Sequence, residues 1–517
     1  MKRFAEEFSR MSWNISEKDT VSVLRLKKEI SRRFGFSDIP KNGNILEFVE
    51  DPDRERIASI LRSKPIRTLS GVSVLALMTK PFACPHGKCI FCPGGVEYGT
   101  PQSYTGFEPA ARRARVNEYD PYLQVEARLK QYAFMGYNPQ KVEIIVIGGT
   151  FTTLPEAYKT DFVTQIYRAL NEFSSENRFD GGLEEQKALN ENANNKCVTF
   201  AIETKPERCS EKDIKQLIDF GVTRVEMGVQ SVYNDVLLKN NRGHTIEDVK
   251  QSTQRLRDNA FKVDHHIMLA LPFSDIDKDR ETIRQAYEDE DLKPDAIKIY
   301  PTLVIKGTGL YQMWKDGRYN PYKIEDIVDL IADAEINSPK WLRIMRVERD
   351  IPSNLIEDGV KITNLRQQVF DEIARRGKTP KDIRSREIGH IKHYQETKLE
   401  INREFYRANK GDEIFISCDD AKSGGLVGFL RLRIPDGSSE SLVRELHVYG
   451  PQEELSFRSS TGFQHKGVGK ELLSEAEKIT SSEYSIKRIR IISGVGVRQY
   501  YRKQGYKLEN GYMVKVF

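Results

Sequence analysis

Cysteine is scarce in this chain of 517 residues, and no apolar run is long enough to span a membrane. A transmembrane helix needs about 18 or more consecutive apolar residues. The amino terminus also has no apolar core of a secretory signal peptide. Three of the six cysteines (Cys197, Cys209 and Cys418) are scattered without the spacing of a disulfide framework. We therefore expect no membrane association and a reducing, cytoplasmic setting.

An excess of charge of one sign is also missing. The 81 Lys and Arg residues nearly balance the 76 Asp and Glu residues, so the net charge of +5 is mild for this size. This balance permits a polyanionic partner but does not require one, so local basic clusters carry more information. The length suits about three domains of roughly 150 residues each.

Six short apolar or β-branched runs alternate with helical segments in the first half of the chain. They are Val72–Met78, Val142–Ile147, Val198–Glu203, Arg224–Val229, Val263–Leu269 and Ala296–Tyr300. Such alternation predicts a parallel sheet covered by helices. Six repeats fit an α/β fold, a partial (β/α)6 barrel, with chemistry on loops after the carboxyl ends of the strands. We place this barrel at residues 66–335.

The carboxyl-terminal part has a different pattern. After an expected linker region at residues 336–385, residues 386–517 predict antiparallel strands, a glycine loop, a helix and a further strand. The expected strands are Ile414–Ser417, Gly425–Leu432, Ser441–Val448 and Ile489–Ile492. This arrangement predicts a separate α+β domain.

Residues 1–65 predict a helical segment with a basic stripe, formed by Arg25, Lys28 and Arg32 on one helix face. Lys27 adds to this charge, and Leu26, Ile30 and Phe34 form the apolar face. Basic clusters recur elsewhere, at Arg112, Arg113 and Arg115, at Arg343, Arg346 and Arg349, and at Arg375, Arg376, Lys378, Lys381, Arg384 and Arg386. One cluster is typical of a solvated face, but several in different domains favour an extended phosphate backbone as partner.

The other three cysteines, Cys84, Cys89 and Cys92, lie on one loop directly after the first predicted strand. Thiolates are the soft ligands that iron–sulfur clusters select. Three ligands rather than four would leave one iron open to a substrate or cofactor. The alternative is a structural zinc site, with His86 or a distant residue as fourth ligand. The C-x4-C-x2-C spacing resembles that of radical S-adenosylmethionine (SAM) enzymes, C-x3-C-x2-C, with one residue more.

Two further barrel runs end in candidate cofactor residues. Gly148 and Gly149 follow the second run and let the backbone approach a ligand closely. In radical SAM barrels such a Gly-Gly turn lines the methionine amino group of SAM. The alternative interpretation is a plain tight turn. Glu203, at the end of the third run, is a candidate acceptor for the SAM ribose or amino group, or an ordinary strand-end carboxylate. Lys205 is a candidate partner of the methionine carboxylate.

In the last domain, Gln464, Gly467 and Gly469 form a Q-x-x-G-x-G pattern at a helix start. Such a start offers unpaired backbone N–H groups to a pyrophosphate. Its place between antiparallel strands and a later strand resembles the N-acetyltransferase (GNAT) fold, which binds acetyl-CoA. Tyr500 or Tyr501 is a candidate acid for a CoA thiolate, with core aromatics as the alternative.

Several longer runs together resemble one family, that of the catalytic subunit of the Elongator complex in its single-chain archaeal or bacterial form. The runs are Cys84–His86, Cys92–Gly95, Gln102–Gly106, Lys298–Tyr311, Arg349–Pro352 and Ser493–Lys503. The resemblance spans nearly the whole chain. The Lys298–Tyr311 run is highly specific, because no general fold rule produces it.

The resemblance implies a chemistry and its residues. Family members install a carboxymethyl group at C5 of the wobble uridine of tRNA, with acetyl-CoA as donor. By this resemblance the three loop cysteines hold a [4Fe–4S] cluster that binds SAM. A 5′-deoxyadenosyl radical then takes hydrogen from the acetyl methyl, the resulting carbon radical adds to uridine C5, and hydrolysis releases CoA. The implied acetyl-CoA contacts are Lys141, Glu445, Leu446, His447, Val448, Val468, Gly469, Lys470 and Tyr501.

The resemblance also implies binding of the tRNA anticodon stem–loop, and a dimer or accessory subunits are compatible with it. The sequence departs from the family in the turn after the fifth run, where Ala270 and Phe273 replace common glycines, and at Lys205, where many members have arginine. Two other functions stay open: a protein lysine acetyltransferase whose barrel is a tRNA-binding scaffold, and a nucleic-acid-binding module without activity alone.

Overall fold

The structure is a computed structural model of the chain. It describes residues 1–15, 19–36, 38–49, 53–61, 71–391, 398–449 and 467–517. Among the described helices, none combines the length and apolarity that crossing a bilayer requires.

The amino-terminal part is a small helical unit with its own apolar core. Its helices are α1 (Lys2–Met11), α2 (Thr20–Arg33), α3 (Asn42–Leu46) and α4 (Arg54–Leu61). Phe4, Phe8 and Ile30 lie in this core. Arg25, Lys28 and Arg32 are exposed on α2, as the basic stripe requires. Two expectations for α2 are wrong: Phe34 is 40% exposed, and the buried Lys27 ammonium donates a hydrogen bond to the Asn42 side chain at 2.6 Å instead of adding to the basic surface.

The middle of the chain forms a parallel, curled sheet covered by helices. Its elements are β1 (Ser73–Met78), α5 (Pro109–Val116), α6 (Pro121–Phe134), β2 (Lys141–Ile147), α7 (Glu156–Glu172), α8 (Leu183–Asn190), β3 (Lys196–Thr204), α9 (Glu211–Asp219), β4 (Arg224–Gln230), α10 (Asn234–Lys239), α11 (Ile246–Asp258), β5 (Lys262–Leu269), α12 (Ile276–Glu288), β6 (Ala296–Pro301), β7 (Val304–Ile305), α13 (Gly309–Lys315), α14 (Ile324–Asn337), β8 (Arg343–Arg346), β9 (Ile356–Asp358), α15 (Leu365–Arg375) and α16 (Ile383–Arg386). The sheet order is β1-β2-β3-β4-β5-β6-β8. Its strands are parallel, so all their carboxyl ends lie at one edge.

The predicted partial barrel is confirmed, with one strand more than expected. The six predicted runs correspond to β1–β6, and β8 adds a seventh strand from the segment expected to be a linker. This strand has only four residues and begins and ends with arginine, so it lacks the apolar run that identifies a buried parallel strand. The segment at residues 336–385 therefore extends the barrel sheet.

The carboxyl-terminal part is a second sheet of seven strands. Its elements are β10 (Leu399–Arg407), β11 (Gly411–Asp420), β12 (Leu426–Pro435), β13 (Glu440–Val448), α17 (Val468–Lys478), β14 (Arg488–Ile491), α18 (Arg498–Arg502), β15 (Lys507–Glu509) and β16 (Tyr512–Val516). The order is β10-β11-β12-β13-β14-β16-β15. β13 and β14 pair in parallel only as far as Val443 and Ile491, while β13 continues to Val448. The two strands therefore separate into a wedge, in agreement with the predicted GNAT fold.

Short helical turns complete the chain. Those of the 3-10 type are Val96–Tyr98, Phe151–Thr153, Pro206–Arg208, Ser353–Leu355, Ile388–His390 and Val495–Val497, and α17 continues as a π-helical turn at Ile479–Glu483.

The second sheet packs against the amino ends of the barrel strands. Lys262, the first residue of β5, forms an ion pair with Glu445 at 2.8 Å. The buried Arg444 donates two hydrogen bonds to Asp295, directly before β6, at 2.6 and 2.7 Å. The cysteine loop follows the opposite, carboxyl end of β1. Because a strand rises about 3.3 Å per residue, the length of β5 separates the two ends by about 25 Å.

Candidate active site

Hydrogen bonds from several parts of the barrel hold the three cysteines of the loop after β1, and two of the sulfurs accept one. Cys89 and Cys92 are buried, and Cys84 is half-buried. Arg242 donates to the Cys89 sulfur at 3.4 Å, and the Ser103 backbone N–H donates to the Cys92 sulfur at 3.1 Å. The Gln102 side-chain oxygen accepts a hydrogen bond from the Cys84 backbone N–H at 3.3 Å. The loop is thus held by groups that favour anionic sulfur.

The three sulfurs of the loop do not form a preformed single-metal site. Among the described residues, one group of three ligating atoms lies within 4.8 Å of one another, and it does not consist of the cysteines. A tetrahedral zinc ion with Zn–S bonds of about 2.3 Å needs sulfurs roughly 4 Å apart. The three side chains therefore do not show the compact ligand set of a structural zinc ion.

Burial favours the protonated form of two thiols of the loop, Cys84 and Cys92, when no metal is bound. Burial, followed by the neighbouring Cys92, raises the pKa of Cys84 to about 11, and burial also raises the pKa of Cys92. Burial and the charges of Lys205 and Arg242 lower the pKa of His86 to about 4, so its ring is neutral at pH 7. Because metal ligation needs thiolates, loading of this site must release protons.

The predicted Gly-Gly turn lies beside the cysteine loop. Gly148 and Gly149 directly follow β2 and have φ values of +129° and +105°, which strongly favour glycine. A Cβ on Gly148 would lie 2.5 Å from the Thr79 hydroxyl, whereas the nearest atom to one on Gly149 is the Gln102 carbonyl oxygen at 3.8 Å. Gly149 therefore leaves open space beside the residue that holds Cys84.

Glu203, near the end of β3, belongs to a charged cluster inside the barrel. The Tyr104 hydroxyl donates to its carboxylate at 2.9 Å. Ligating atoms of Glu203, Glu226 and His266 lie within 4.8 Å of one another. Lys298 forms an ion pair with Glu226, and although burial opposes it, this charge holds the pKa of Glu226 well below its usual range. The protein itself therefore supplies cations to this cluster.

Lys205 is buried directly behind the cysteine loop. Its ammonium donates to the Arg242 carbonyl and pairs with Glu207 at 2.6 Å. Burial lowers its pKa. The side chain is thus already bonded within the protein, and a role at the methionine carboxylate stays a prediction.

Sequence reasoning gave no role to several residues that build this site. Arg242 and Ser103 contact the sulfurs, and nothing in their local sequence indicates it. Glu226, His266 and Lys298 could have been noticed in the sequence, because each is a charged or titratable residue within a buried strand. Since such residues are rarely buried without a partner, their presence predicts an internal polar cluster.

The wedge in the second sheet carries the predicted acetyl-CoA residues. Gly467, with φ +89°, precedes α17, whose first residues are Val468, Gly469 and Lys470. A Cβ on Gly469 would lie 3.2 Å from the Tyr500 hydroxyl, so this tyrosine faces the start of the helix. Tyr501 is buried and packs edge-on against Tyr500, with ring centroids 5.2 Å apart. Gln464 lies outside the described residues.

The predicted contact strand β13 faces both the wedge and the barrel. Burial opposes ionisation of Glu445, yet Lys262 and Arg431 lower its pKa to about 2. His447 packs against Tyr449 with ring centroids 4.4 Å apart, and burial lowers the pKa of the His447 ring. Leu446 and Val448 are partly buried against the core of this sheet. The side chain of Glu445 thus joins the two sheets.

Lys141 begins β2, at the amino end of the barrel. It lies opposite Lys196 of β3, and a Cβ on Gly496 of the second sheet's domain would lie 2.6 Å from the Lys196 Cβ. The structure therefore brings Lys141 to the side of the barrel that faces the second sheet, in agreement with a contact that ties the two domains together.

A partial barrel with a three-cysteine loop, packed on an acetyltransferase-type sheet, defines a radical SAM enzyme joined to a GNAT domain. Family models agree along the chain: the ELP3 N-terminal domain matches residues 8–69, the Radical SAM superfamily 80–286, the Radical_SAM C-terminal domain 294–375 and the Acetyltransferase (GNAT) family 382–506. The radical SAM family implies a [4Fe–4S] cluster and SAM, and the GNAT domain implies acetyl-CoA.

Relatives cover nearly the whole chain. A protein of Methanocaldococcus jannaschii named tRNA uridine(34) acetyltransferase is 43% identical, over 96% of this chain and 94% of its own length. Human Elongator complex protein 3 is 40% identical, over 96% of this chain and 93% of its own length. The solved structure of Methanocaldococcus infernus Elp3 lacking residues 1–46 matches with a TM-score of 0.76 and 38% identity, over 87% of this chain and all of that one. The chain belongs to the Elongator complex protein 3 family.

Proposed function

We propose that this protein is a tRNA-modifying enzyme that installs a carboxymethyl group at C5 of the wobble uridine, using acetyl-CoA and SAM. One observation carries the proposal: a single chain joins a three-cysteine loop, built for an iron–sulfur cluster, to an acetyl-CoA wedge through a charged, buried interface. Ordinary acetyl transfer does not reach a poorly nucleophilic ring carbon, so the acetyltransferase-type sheet alone does not explain why the barrel is present in the same chain. The M. jannaschii relative, named for uridine 34, supports the substrate.

The barrel residues have distinct roles in this proposal. Cys84, Cys89 and Cys92 hold the [4Fe–4S] cluster, and Arg242 and Ser103 stabilise the anionic sulfurs through N–H donors. When bound, the cluster supplies the electron that turns SAM into a source of a hydrogen-abstracting carbon radical. Gly148 and Gly149 leave space for the methionine part of SAM, Glu203 accepts hydrogen bonds from its hydroxyls or amino group, and Lys205 lies on the carboxylate side.

The second sheet binds the acyl donor. The unpaired N–H groups at the start of α17 bind the CoA pyrophosphate, through Val468, Gly469 and Lys470. β13 lines the pantetheine arm in the wedge, and Lys141 approaches from the barrel. Tyr500 faces this helix start and Tyr501 supports it, so one of these two tyrosines protonates the departing thiolate.

An anaerobic reaction tests the proposal. The protein is incubated with SAM, dithionite, acetyl-CoA and tRNA, and the digested tRNA is analysed by mass spectrometry. Carboxymethyluridine is expected, and omission of SAM is the control that should remove it. Acetylated protein substrates without carboxymethyluridine would instead assign a lysine acetyltransferase. Binding of tRNA without any acetyl-CoA turnover would assign a nucleic-acid-binding module.

The setting and partners complete the proposal. Three of the six cysteines lie on the proposed cluster loop and the other three are scattered without a disulfide framework, which supports a reducing, cytoplasmic environment. The tRNA anticodon stem–loop is the expected binding partner, and a dimer or accessory subunits stay a prediction.

A further inference from the structure

A cavity of about 740 Å³ lies beside the cysteine loop, where the partial barrel does not close. In the described sheet, β1 and β8 are the two edge strands. Phe107 and Arg112, at the start of α5, line the cavity on the β1 side. Pro301 after β6 and the segment after β8, including Arg349, line the other side. The cavity therefore occupies the seam at the carboxyl end of the barrel.

The wall of this cavity is bonded directly to the cysteine loop. The Arg349 guanidinium donates to the Ser103 carbonyl, and the Ser103 N–H donates to the Cys92 sulfur at 3.1 Å. Ser103 thus contacts both Arg349 in the cavity wall and the candidate metal ligand Cys92. A ligand in the cavity would be a direct neighbour of the reaction site.

The lining of the cavity combines cationic side chains with an exposed aromatic ring. Arg112 and Lys361 are exposed, and neither pairs with a carboxylate in the part of the chain that the structure describes. Phe107 is 47% exposed, and Asn354 offers an exposed amide. Of the two acidic residues in the lining, Asp350 is already paired with Arg346 at 2.6 Å, and burial raises the pKa of Glu348, which disfavours its charged form. These groups match a nucleotide: cations for phosphate, a ring for base stacking and an amide for a base edge.

The other two ligands of the enzyme have sites elsewhere. The predicted SAM residues lie at the ends of β2 and β3, and none of them lines the cavity. The acetyl-CoA wedge packs against the amino ends of the strands, about 25 Å from the carboxyl ends. The cavity volume falls within the range of about 300–1,000 Å³ that holds ligands of nucleotide size.

We propose that this cavity holds an unstacked nucleotide of the RNA substrate next to the target uridine. Phe107 stacks on its base, Arg112 and Lys361 contact its flanking phosphates, and Asn354 faces the base edge. Extrusion of a loop nucleotide into the cavity brings its neighbour to the cysteine loop and keeps the strand in place. This inference rests on the proposed function, because it takes an RNA loop as the substrate.

Salt-dependent RNA binding tests the phosphate contacts. The probe is a labelled anticodon stem–loop RNA, titrated with the full chain at several salt concentrations. Arg112→Gln with Lys361→Gln should weaken binding and reduce the slope of log affinity against log salt by about 1.4, since each single-stranded phosphate contact contributes about 0.7. The charge-matched control is Lys215→Gln with Lys422→Gln. These exposed lysines do not line the cavity, so this control should leave the slope unchanged.

Two substitutions at Phe107 test the stacking contact. Phe107→Leu keeps an apolar side chain but removes the ring, and it should weaken RNA binding by about 5- to 150-fold, the range of one base–aromatic stack. Phe107→Trp keeps a stacking face and should bind within a few-fold of the unchanged protein.

Two results would overturn the proposal. One is an RNA affinity and salt slope in the Phe107→Leu and Arg112→Gln/Lys361→Gln proteins equal to those of the control. The other is a loss of acetyl-CoA affinity with unchanged RNA affinity, which would assign the cavity to the acyl donor. RNA binding is measured without turnover, so absence of carboxymethyluridine in the unchanged protein would reject the proposed function separately.

Discussion

At the scale of single residues, the account depends on thiols in an environment that stabilises anionic sulfur. Cys89 receives a hydrogen bond from the permanently charged Arg242 at 3.4 Å, and His86 Nε2 lies 3.3 Å from the same sulfur. Cys92 receives a backbone N–H. N–H donors of this kind stabilise thiolate ligands of a metal cluster, which is the role we propose for them.

We expect Cys89→Ser to abolish 5′-deoxyadenosine formation and to leave tRNA affinity near normal. A serine hydroxyl is a poor iron ligand, while the proposed RNA contacts are made by other residues, Phe107, Arg112 and Lys361. Anaerobic assays with SAM and dithionite measure the first quantity, and tRNA titration measures the second. Cys418→Ala, in strand β11, is the matched control and should retain SAM cleavage. Equal loss of cleavage and tRNA binding in the Cys89→Ser protein would show that the cysteines serve folding.

The turn after β5 shows how a departure from the family pattern is accommodated. Ala270 and Phe273 have φ values of +59° and +69°, the conformation that glycine adopts without strain. The turn is held in place because Asp279 accepts hydrogen bonds from the Ala270 N–H at 2.5 Å and from the Ser274 hydroxyl at 2.6 Å. The backbone therefore has a glycine-like shape without glycine.

We expect Ala270→Gly to leave SAM affinity within about twofold and unfolding free energy within about 1 kcal/mol, because strain relief of roughly 1–2 kcal/mol is offset by lost burial and greater chain entropy. Ala270→Val places a β-branched residue at positive φ and should destabilise the protein by roughly 2 kcal/mol or more. Thermal unfolding measures the stability of the two variants, and SAM titration measures their affinity for SAM. A large gain in SAM affinity in the Ala270→Gly protein would show that alanine distorts the turn.

The sequence predicted ligands better than their supporting contacts. The three cysteines, Gly148 and Gly149 were predictable because thiols and glycines mark metal loops and tight turns through their own chemistry. Arg242 acts on Cys89 from a loop distant in sequence. No periodicity or spacing rule relates residue 89 to residue 242, since only the folded barrel brings them together.

At the scale of elements, helix α18 is fixed to the barrel through one carboxylate. Glu191, between α8 and β3, accepts hydrogen bonds from Arg498, Gln499 and Arg502. Close by, Gly494 packs so tightly on the Val198 carbonyl that no side chain fits there. The helix that carries Tyr500 and Tyr501 therefore takes its position from the amino end of β3.

We expect Glu191→Gln to lower unfolding free energy by about 1.5–3 kcal/mol, the range of hydrogen bonds to charged groups. It should also weaken acetyl-CoA binding more than SAM binding, because α18 lines the acyl site. Calorimetric titration of both ligands and chemical unfolding measure these effects. Glu185→Gln, on the exposed face of α8, is the control and should change neither. Equal weakening of both ligands would mean that Glu191 stabilises the whole chain without positioning α18.

Strands with a clear apolar pattern were predictable from the sequence. Short strands with many charged residues were not. β1–β6 are apolar runs because both faces of a parallel sheet are covered. β8 carries an arginine at each end, and most side chains of the edge strand β10 are exposed or half-buried. Their pairing depends on neighbouring strands that sequence alone does not place.

At the scale of the whole molecule, the residues predicted to bind SAM and those predicted to bind acetyl-CoA lie at opposite ends of the barrel strands. Buried charges such as Arg444 and Asp295 fix the two sheets relative to each other. The proposed tRNA surface extends from the seam cavity to the amino-terminal helices, and Arg25, Lys28 and Arg32 are exposed on α2.

Replacement of Arg25, Lys28 and Arg32 by glutamine should weaken tRNA binding and reduce its salt slope by about 2–3, at roughly 0.7–0.9 for each phosphate contact. Titration of tRNA over a range of salt concentrations measures this slope. Lys215→Gln with Lys422→Gln and Lys507→Gln removes equal charge from exposed positions outside α2 and is the control. A slope equal to that of the control would exclude α2 from the binding surface.

The central claim is that three cysteines of one loop hold a four-iron cluster. Iron, acid-labile sulfide and zinc counted on anaerobically purified protein test it most directly. The account predicts about four iron atoms and four sulfides per chain, with all of them lost in the Cys89→Ser protein. Colourless protein with one zinc ion per chain and no sulfide would contradict it.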